Sequence, residues 1–548
     1  MRNPLDPVLR RATSPAVVRH RAAVRLLRGV TGAPILPSRA RGALAHRLRT
    51  GMTQAGWTPA EARAALAALA RSSDSRTRAD LLMREAADEL AAGRTPPHLT
   101  EAVRAELTVA DERFTAGDPR AAGRHLYRAL RVLFHRSLHF DRLSSPLADD
   151  PSAFLAPLRD SVTGQALLAP RGRGTPAAEA PADRPLRLLV LTNGNPHFLR
   201  EIRERYAAHP AVEFRYLHLT DDLTAGPLIK RVDPVVDHLV TGSSPYGERV
   251  EEWLRPHLDW ADTLFVDWCV ATAALVTLVD PGDTRVVIRL HSFEALSFWP
   301  HLVDFSRVDD VVFVSEHLRE LVTAVSPDLS GEGAPRLHVI ANAMDLGAYP
   351  RAKDPAARFT LGLVGVGAVA KDPRWALEVL RVLRRSDSRY RLLLIGDGLK
   401  ASAGGAVRDY QAALDRELRE LETAGAVTRV GHVTDVPEAL TRVGVILSTS
   451  VRESFHCALV EGAASGALPV VRDWPFFARQ RSGARTLFPA DWVVRTPEEA
   501  AQRILAGTTD EEQWRTAGSS AAAHARATWD WSVTRHDFDA LFRLPAQP

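Results

Sequence analysis

The sequence predicts an α/β protein with two doubly wound, Rossmann-like domains, preceded by an all-helical domain. Short apolar runs alternate with amphipathic helical segments from residue 186 onward, and this alternation begins again near residue 358. Apolar strands joined by helical crossovers are typical of parallel sheets. Residues 1–170 show instead the residue spacing of amphipathic helices. A chain of 548 residues is also too long to form a single core.

Two segments support the helical reading of residues 1–170. Thr58–Glu61 supplies an N-cap, a proline at the first helical position and an acidic residue, directly before the helical run Ala64–Ala70. Ala110–Leu133, interrupted by Gly117–Pro119, has the pattern of a helix–turn–helix hairpin and is similar to one tetratricopeptide unit. We interpret the region as an accessory domain for contact with an acceptor, a partner or a membrane; a purely structural extension is the alternative.

The N-terminal leader, residues 1–50, is strongly basic. It contains eleven arginines and a single acidic residue, Asp6, in a chain whose net charge is only +4. Such a segment is a candidate for peripheral contact with an anionic membrane surface, and a solvated or disordered arm is the alternative. Nucleic acid is not an expected partner, because the segment lacks interleaved aromatic residues and any zinc or RNP-like signature.

The composition indicates a cytoplasmic protein, with a peripheral position at the inner face of the membrane if the leader binds lipid. The two cysteines, Cys269 and Cys457, are far apart in sequence and predict no disulfide framework. No apolar run approaches the ~18 residues that a membrane span needs, and the arginine-rich start does not have the pattern of a signal peptide.

The predicted strands define the two Rossmann-like domains. The expected bounds are a helical domain at 1–170, a Pro/Gly/Ala-rich linker at 171–185, α/β domains at 186–357 and 358–528, and a terminal segment at 529–548. The first α/β domain contains predicted strands at Leu186–Thr192, Thr263–Asp267, Arg285–Leu290, Asp310–Val314 and Leu337–Ile340, and the second contains them at Phe359–Val364, Arg391–Ile395, Val427–Val430, Gly444–Ser448 and Pro469–Val471.

Two glutamates, Glu453 and Glu461, follow the predicted strand Gly444–Ser448. On one continuous helix they would lie about 12 Å apart and about 80° around the axis, so they could contact two ends of an extended ligand. The N–H groups at the start of the helix would favour an anionic middle. This suits a nucleotide-sugar, with a sugar at one carboxylate, a ribose at the other and a diphosphate between them. Two surface glutamates on an amphipathic helix are the alternative.

The surrounding residues make the motif more specific. Ser450-x-x-Glu453-Ser-Phe precedes it and Gly462-x-x-x-Gly-x-x-Pro469 follows it. The segment resembles the Glu-x7-Glu motif of the retaining family-four glycosyltransferases, whose GT-B fold sets two Rossmann-like domains across a cleft. The resemblance implies that Glu453 contacts the donor sugar and Glu461 the ribose. It also implies that the donor site includes Ser450, Ser454, Phe455 and His456.

A glycine-rich turn, Gly365-Val-Gly367-Ala-Val-Ala-Lys371, follows the first strand of the second domain. Such a turn lets the backbone approach phosphate, and a lysine at its end can neutralise a departing diphosphate. The family pattern is Gly-Arg-x4-Lys, so Lys371 is in register but Val366 replaces the arginine. Either Arg374 or Arg452 supplies the missing charge, or the leaving group is stabilised less.

The resemblance implies further site residues. Gly396, in Gly-Asp-Gly, would shape the floor of the cleft, and an ordinary turn is the alternative. His432 and Val433 lie where the family holds the nucleotide base. In the first domain, His291 at a strand end resembles the histidine that contacts the sugar near the reacting centre, while Gly194 takes the place of a glycine-rich first loop. Ser315-Glu316 and Asn342–Asp345 match loop and hinge elements of the family, and residues 529–548 match its terminal helix, which crosses back to the first half.

We expect no metal and no cofactor other than the nucleotide-diphosphate sugar itself. Asp537-Phe-Asp539 has the spacing of a metal-binding Asp-x-Asp, but it lies in a predicted helix and not at a strand end. The GT-B relatives need no metal, since a lysine and a helix N-terminus stabilise the phosphates.

The function expected from the resemblance is that of a retaining hexosyltransferase. It would move a sugar from a nucleotide-diphosphate donor to a carbohydrate, glycolipid or polymer acceptor, in cell-envelope polysaccharide or glycolipid synthesis. Glu453, Lys371 and His291 would be the catalytic residues. A GT-B-like scaffold that binds the donor without turnover is the alternative that Val366 favours. A sugar-nucleotide epimerase shares the architecture, but the Glu-x7-Glu context argues against it.

Overall fold

The computed structural model describes residues 6–32, 38–58, 74–400 and 404–544. The chain divides into two compact units. A helical unit comprises residues 1–137, 153–168 and 236–242, and an α/β unit comprises residues 138–152, 169–235 and 243–548. No helix among the described residues is both long and apolar enough to span a bilayer.

The helical unit confirms the predicted helical character of the N-terminal region. Its helices are Asp6–Ala12, Pro15–Val18, Arg21–Gly32, Ser38–Gln54, Ser75–Ala91, Leu99–Thr115, Pro119–Leu133, Arg136–His139, Pro151–Asp160, Val162–Leu168 and Asp233–Thr241, some of which extend into the other unit. The predicted hairpin is present: Gly117 takes a left-handed φ of 78°, and the Asp118 carboxylate caps the second helix by accepting from the Ala121 N–H. The predicted N-cap proline and helical run at 59–70 lie outside the described residues.

The α/β unit contains two six-stranded sheets in which every neighbouring pair of strands is parallel. The first sheet has the order β2-β1-β3-β4-β5-β6 and the second β12-β11-β10-β7-β8-β9. The strands are β1 Leu186–Thr192, β2 Val212–His218, β3 Thr263–Asp267, β4 Arg285–Leu290, β5 Asp310–Phe313, β6 Arg336–Val339, β7 Thr360–Val364, β8 Arg391–Ile395, β9 Val427–Gly431, β10 Val445–Ser448, β11 Leu468–Arg472 and β12 Val493–Val494. This is the two-sheet architecture of the GT-B fold, which confirms the predicted fold class.

Helices separate these strands. The α-helices are Pro146–Asp149, Arg200–Ala207, Ala225–Ile229, Pro245–Trp260, Ala271–Val276, Ser292–Ala295, Glu316–Val325, Pro373–Ser386, Gly405–Thr423, Val436–Thr441, Cys457–Ala464, Ala484–Leu487, Pro497–Gly507, Glu511–Trp529 and Trp531–Leu541. Short 3-10 helices lie at Pro196–Leu199, Trp299–Leu302, Phe305–Arg307, Pro327–Leu329, Ala357–Phe359, Val369–Lys371 and Ala490–Trp492.

The strand order reverses once in each sheet, between β1 and β3 and between β7 and β10. At such a switch point the connections leave in opposite directions, and a crevice opens at the carboxyl ends of the two strands. The loops that follow β1, β3, β7 and β10 are therefore the places where this fold positions a ligand.

The last helix, Trp531–Leu541, packs on the first sheet. Phe538 and Leu541 share a buried apolar cluster with Leu188 and Phe265 of that sheet. Asp537 and Asp539 lie in this helix, as predicted, and Asp539 accepts a hydrogen bond of 2.8 Å from the Tyr206 hydroxyl. The carboxylate of Asp539 therefore helps to hold the last helix against Tyr206.

Candidate functional site

The switch point of the second sheet brings together Lys371, which ends the turn after β7, and Glu453, in the loop after β10. Lys371 Nζ lies 2.6 Å from Glu453 Oε1, and the Ser450 hydroxyl donates to the same oxygen at 2.5 Å. These three predicted site residues thus form one cluster at the carboxyl ends of two adjacent strands.

Glu453 is held as a carboxylate. Burial opposes its ionisation, but the Lys371 ammonium, with the His456 ring and the Ser450 hydroxyl, outweighs burial and lowers the pKa of Glu453 to about 2. A carboxylate this acidic is a poor proton acceptor at neutral pH. It is suited to accepting hydrogen bonds from ligand hydroxyls.

The two glutamates do not share one continuous helix. The helix spans Cys457–Ala464, so Glu453 lies in the preceding loop and only Glu461 is helical. The chain turns at His456, which takes a left-handed φ of 77° and whose Nδ1 lies 2.7 Å from the Ser448 hydroxyl. Because of this turn, the helix begins only at Cys457. Burial lowers the pKa of His456 to about 4, so the ring is neutral at pH 7.

Glu461 has different surroundings from Glu453. Burial raises its pKa, against the effect of a hydrogen bond from the Tyr349 hydroxyl. The residue faces a cavity that both Rossmann-like domains line, with His197, Phe198, Arg200, Glu201, Ala343, Met344, Asp345, Tyr349, Cys457 and Glu461 around it. Glu453 is thus an ionised carboxylate that pairs with Lys371, whereas Glu461 is a half-buried carboxyl near Arg200 of the first domain.

The glycine turns after β7 and β8 lie against each other. Gly365 and Gly396 have left-handed φ values of 82° and 110°, and a Cβ on Gly396 would lie 3.4 Å from the Gly365 nitrogen. A Cβ on Gly367 would lie 3.1 Å from the Asp397 carbonyl oxygen. The three predicted glycines thus form one closely packed piece of backbone beside Lys371.

The lysine is held by residues that sequence reasoning missed. The Thr449 hydroxyl donates to the Lys371 carbonyl at 2.5 Å. The neighbouring Asp372, in a left-handed conformation, accepts from the Arg472 guanidinium at 2.7 Å. The strand pattern predicts that Thr449 and Arg472 lie at the carboxyl ends of β10 and β11. Their partners, Lys371 and Asp372, are too distant in sequence for these contacts to be predicted from it.

The two candidate replacements for the family arginine, Arg374 and Arg452, have different surroundings. Val366 is 8% exposed and belongs to the apolar core of the second sheet. Arg374 donates to Glu417 at 2.7 Å, so its charge is already paired within its own domain. Arg452 is buried, with its guanidinium 4.9 Å from the Phe476 ring centre, and one of its terminal nitrogens, Nη1, has no hydrogen-bond partner among the described residues. Burial lowers the pKa of Arg452 to about 10, which leaves it charged.

The remaining donor-side predictions divide into exposed and buried residues. Phe455 is 1% exposed and packs edge-on against Trp529, so its side chain lies in the core. Ser454 is half-buried in the loop after β10. His432 and Val433 directly follow β9, with His432 exposed, and among the described residues no hydrogen bond or ion pair joins them to the cluster.

In the first domain, His291 follows β4 and is 2% exposed. Its Nε2 lies 3.5 Å from Asp267 Oδ1, and its ring packs on Trp268 and Phe198 at centroid distances of 4.4 and 5.1 Å. Burial lowers its pKa, so the imidazole is neutral at pH 7. The predicted strand-end position is correct, but Trp268 and Phe198 cover the ring that was expected to face the cleft.

Gly194, in the loop after β1, makes this cover possible. A Cβ at Gly194 would lie 2.4 Å from the Trp268 ring, so only glycine lets the indole lie across the loop. Trp268 itself follows β3 with a left-handed φ of 72°, and its Nε1–H donates to the Asn195 carbonyl at 3.3 Å. The loops after β1, β3 and β4 are thus locked together at the first switch point.

Glu294 was not predicted and anchors the same loops. Its buried carboxyl accepts from the N–H groups of Cys269 and His291, at 3.0 and 3.2 Å. Burial outweighs these hydrogen bonds and raises the pKa of Glu294 to about 8. The side chain is therefore protonated at pH 7.

His317 was also missed, although the Ser315-Glu316 pattern directly precedes it. Its Nε2–H donates to the Glu453 carbonyl oxygen at 2.9 Å, and its ring packs on Trp474 and Phe477. Burial lowers its pKa to about 4. A neutral histidine of the first domain thus holds the backbone of the loop that carries Glu453.

Among the described residues, no group of three or more His, Cys, Asp or Glu side chains is arranged to hold a metal ion. Both cysteines are free thiols.

Comparison with known proteins shows a similarity for the second α/β domain. Residues 358–510 match the family model of the glycosyl transferases group 1. A search of curated proteins found no match. Among solved structures, HepE from Anabaena in complex with UDP is 16% identical, with a TM-score of 0.48 over 65% of this chain and 99% of that chain. Sucrose-phosphate synthase from Thermosynechococcus elongatus is 14% identical, with a TM-score of 0.48 over 65% and 98%. The family match thus covers the second α/β domain alone.

Proposed function

We propose that the protein is a nucleotide-sugar-dependent glycosyltransferase that retains the anomeric configuration of the transferred sugar. The observation that carries the proposal is the Lys371–Ser450–Glu453 cluster at the switch point of the domain that matches the glycosyl transferases group 1. A cation, a hydroxyl and an ionised carboxylate at adjacent strand ends can bind both a phosphate and sugar hydroxyls.

The donor would extend from the cluster along the start of the helix Cys457–Ala464. Its diphosphate would lie near Lys371 and the backbone at Gly365, where the ammonium stabilises the charge that develops on the leaving group. Its sugar would hydrogen-bond to Glu453 and its ribose to Glu461. Arg452, charged and with a guanidinium nitrogen that has no described partner, is the better placed of the two candidate replacements for the family arginine.

The proposed mechanism is attack by the acceptor on the same face from which the phosphate departs, with the leaving phosphate taking the acceptor proton. The low pKa of Glu453, about 2, supports a binding role over one as general base. His291 would act from the first domain, after Trp268 or Phe198 moves away from its ring. We further propose a hexosyl donor, a carbohydrate, glycolipid or polymer acceptor of the cell envelope, and a cytoplasmic location, which the two free thiols suit.

We also propose that the N-terminal helices contact an anionic membrane surface. Leu26 and Val30, four residues apart on the helix Arg21–Gly32, are 71% and 47% exposed. Exposed Arg25 directly precedes Leu26 in sequence. Interfacial helices typically insert apolar side chains into the membrane, while neighbouring arginines pair with lipid phosphates.

A donor panel with product analysis tests the enzymatic proposal. Thermal-shift screening of nucleotide-sugars selects the donor, and NMR of the product then reads the anomeric configuration of the transferred sugar. A product with the configuration of the donor is expected; an inverted product would overturn the mechanism while leaving the transferase class in place.

The second candidate function is a scaffold that binds a nucleotide-sugar without turnover. Val366, buried where the family has an arginine, is the observation that favours it. Tight donor binding without nucleotide release, across neutral and charged acceptors, would establish this alternative.

A further inference from the structure

A second cavity, which we call the basic pocket, lies in the first Rossmann-like domain beside the loop after β1. It encloses about 580 Å³ and is lined by residues that include His197, Arg200, Arg203, Glu204, Phe214 and Tyr216. That volume is within the usual range for small-molecule sites. No predicted site residue belongs to it.

The wall of the pocket that β2 forms is aromatic. Phe214 and Tyr216 are two residues apart on this edge strand, so their rings lie side by side on one face. Both are half-buried and pack against the core of the first sheet. Rings that are fixed from behind in this way offer a flat surface to the C–H face of a sugar.

Cationic side chains adjoin this aromatic wall. Arg200 and Arg203 project from neighbouring turns of the helix Arg200–Ala207, since residues three apart share a helix face. The Arg203 guanidinium lies 3.9 Å from the centre of the Tyr216 ring, and among the described residues no carboxylate is at ion-pair distance from it. Its charge is thus directed to the pocket rather than neutralised, while Arg200 pairs with Glu201 at 3.1 Å.

The pocket is next to the proposed donor site, because His197 and Arg200 also line the cavity that Glu461 faces. We propose that the basic pocket binds the acceptor, and that this acceptor carries an anionic group, a carboxylate or a phosphate, on or beside a sugar ring. Phe214 would hold the ring, and Arg203, which lies over the Tyr216 ring, would bind the anion. The role of the bound sugar as an acceptor rests on the proposed function. The binding of anionic sugars to the pocket does not depend on turnover.

Direct binding to the full-length protein tests the assignment with three probes of one design. These are 4-nitrophenyl β-D-glucuronide, 4-nitrophenyl phosphate and the uncharged 4-nitrophenyl β-D-glucoside, titrated calorimetrically with and without saturating UDP. We expect the glucuronide to bind about tenfold more tightly than the glucoside, as one charge-assisted hydrogen bond allows. The phosphate probe shows whether the anion alone suffices. UDP should not displace the glucuronide.

Arg203→Gln should abolish the preference for the charged sugar and leave the melting temperature unchanged, since the side chain is exposed. Arg187→Gln, at the start of β1 and so at the opposite end of the same sheet, is the matched control and should keep the preference. Equal binding of glucuronide and glucoside, no binding of either, or displacement of the glucuronide by UDP would overturn the proposal. Selective glucuronide binding by a protein that never transfers a sugar would refute the proposed function and leave the pocket assignment intact.

Discussion

At the scale of single residues, the Lys371–Glu453 pair combines an ammonium and a carboxylate 2.6 Å apart at the ends of two strands. Substituting Glu453 by Gln keeps the shape of the side chain and removes the charge that Lys371 neutralises. We expect kcat to fall by about 10²-fold or more, with a smaller change in KM, as for loss of a group that acts in the transition state. Steady-state kinetics with the donor found by screening is the measurement. Glu438→Gln, on an exposed helix of the same domain, is the control and should keep full activity; equal losses in both variants would contradict the role of Glu453.

The hydrogen bond from His317 to the Glu453 carbonyl is expected to position the loop. His317→Phe keeps a ring against Trp474 and Phe477 but removes the Nε2–H donor. We expect kcat to fall about tenfold, corresponding to one lost hydrogen bond at the site, with KM and the melting temperature nearly unchanged. His317→Gln, which can still donate, should recover part of the loss. An unchanged kcat in the Phe variant would show that the contact is only structural.

Glu294 makes a prediction about pH. Its pKa is about 8 in the folded protein against an ordinary value of 4.5, so between these values the folded state holds a proton that the unfolded state has lost. The free energy of unfolding that depends on this group therefore decreases as pH rises through that window, by up to about 1.4 kcal/mol per pH unit. Glu294→Gln cannot ionise. Urea denaturation should show its stability relative to the natural protein increasing between about pH 5 and about pH 8, whereas parallel pH curves would mean that Glu294 is ionised in the fold.

At the scale of secondary-structure elements, the helix Arg21–Gly32 carries the proposed membrane contact. Leu26→Ser with Val30→Ser should reduce binding to phosphatidylglycerol vesicles, because the apolar insertion is lost while the arginines remain. Sedimentation with these vesicles and with neutral phosphatidylcholine vesicles is the measurement. Leu223→Ser, a leucine that is 94% exposed in the α/β unit, is the control. Binding of the double variant equal to that of the natural protein would exclude this face.

Ten of the twelve strands could be predicted from short apolar runs, most of which are buried on both faces, as in β1 and β10. Strands β6 and β9 are less buried and were predicted from their apolar residues alone. Edge strand β2 was missed because Glu213 and Arg215 alternate with half-buried residues, and β12 because it has only two residues. The start of the helix at Cys457 could not be read either. The left-handed turn at His456 depends on a hydrogen bond to Ser448, which is a tertiary contact.

At the scale of the whole molecule, each half of the GT-B architecture has one switch point, and each switch point holds predicted residues. Lys371, Ser450 and Glu453 were predictable together because each follows a strand or a recognisable motif. The contributions of His317, Glu294 and Arg472 were not, since each acts through a partner that is distant in the sequence or through backbone groups. Sequence thus predicts the side chains at strand ends better than the contacts that hold them in place.

The halves are also joined to each other. The Ser482 hydroxyl donates to Glu320 at 2.8 Å, in addition to the bond from His317 to Glu453. Both contacts link the helix Glu316–Val325 of the first half to loops of the second. A change in these contacts would alter the position of Glu453 relative to the first domain, so donor binding and domain contact are expected to be coupled.

The most direct test of a catalytic donor site at Lys371 is the rate at which the full-length protein releases nucleoside diphosphate from a panel of nucleotide-sugars. The natural protein and Lys230→Ala, which removes an exposed lysine of the first domain, should release it from at least one donor at the same rate. Lys371→Ala should release it about 10²-fold more slowly or not at all. Equal rates for the natural protein and Lys371→Ala would contradict the account.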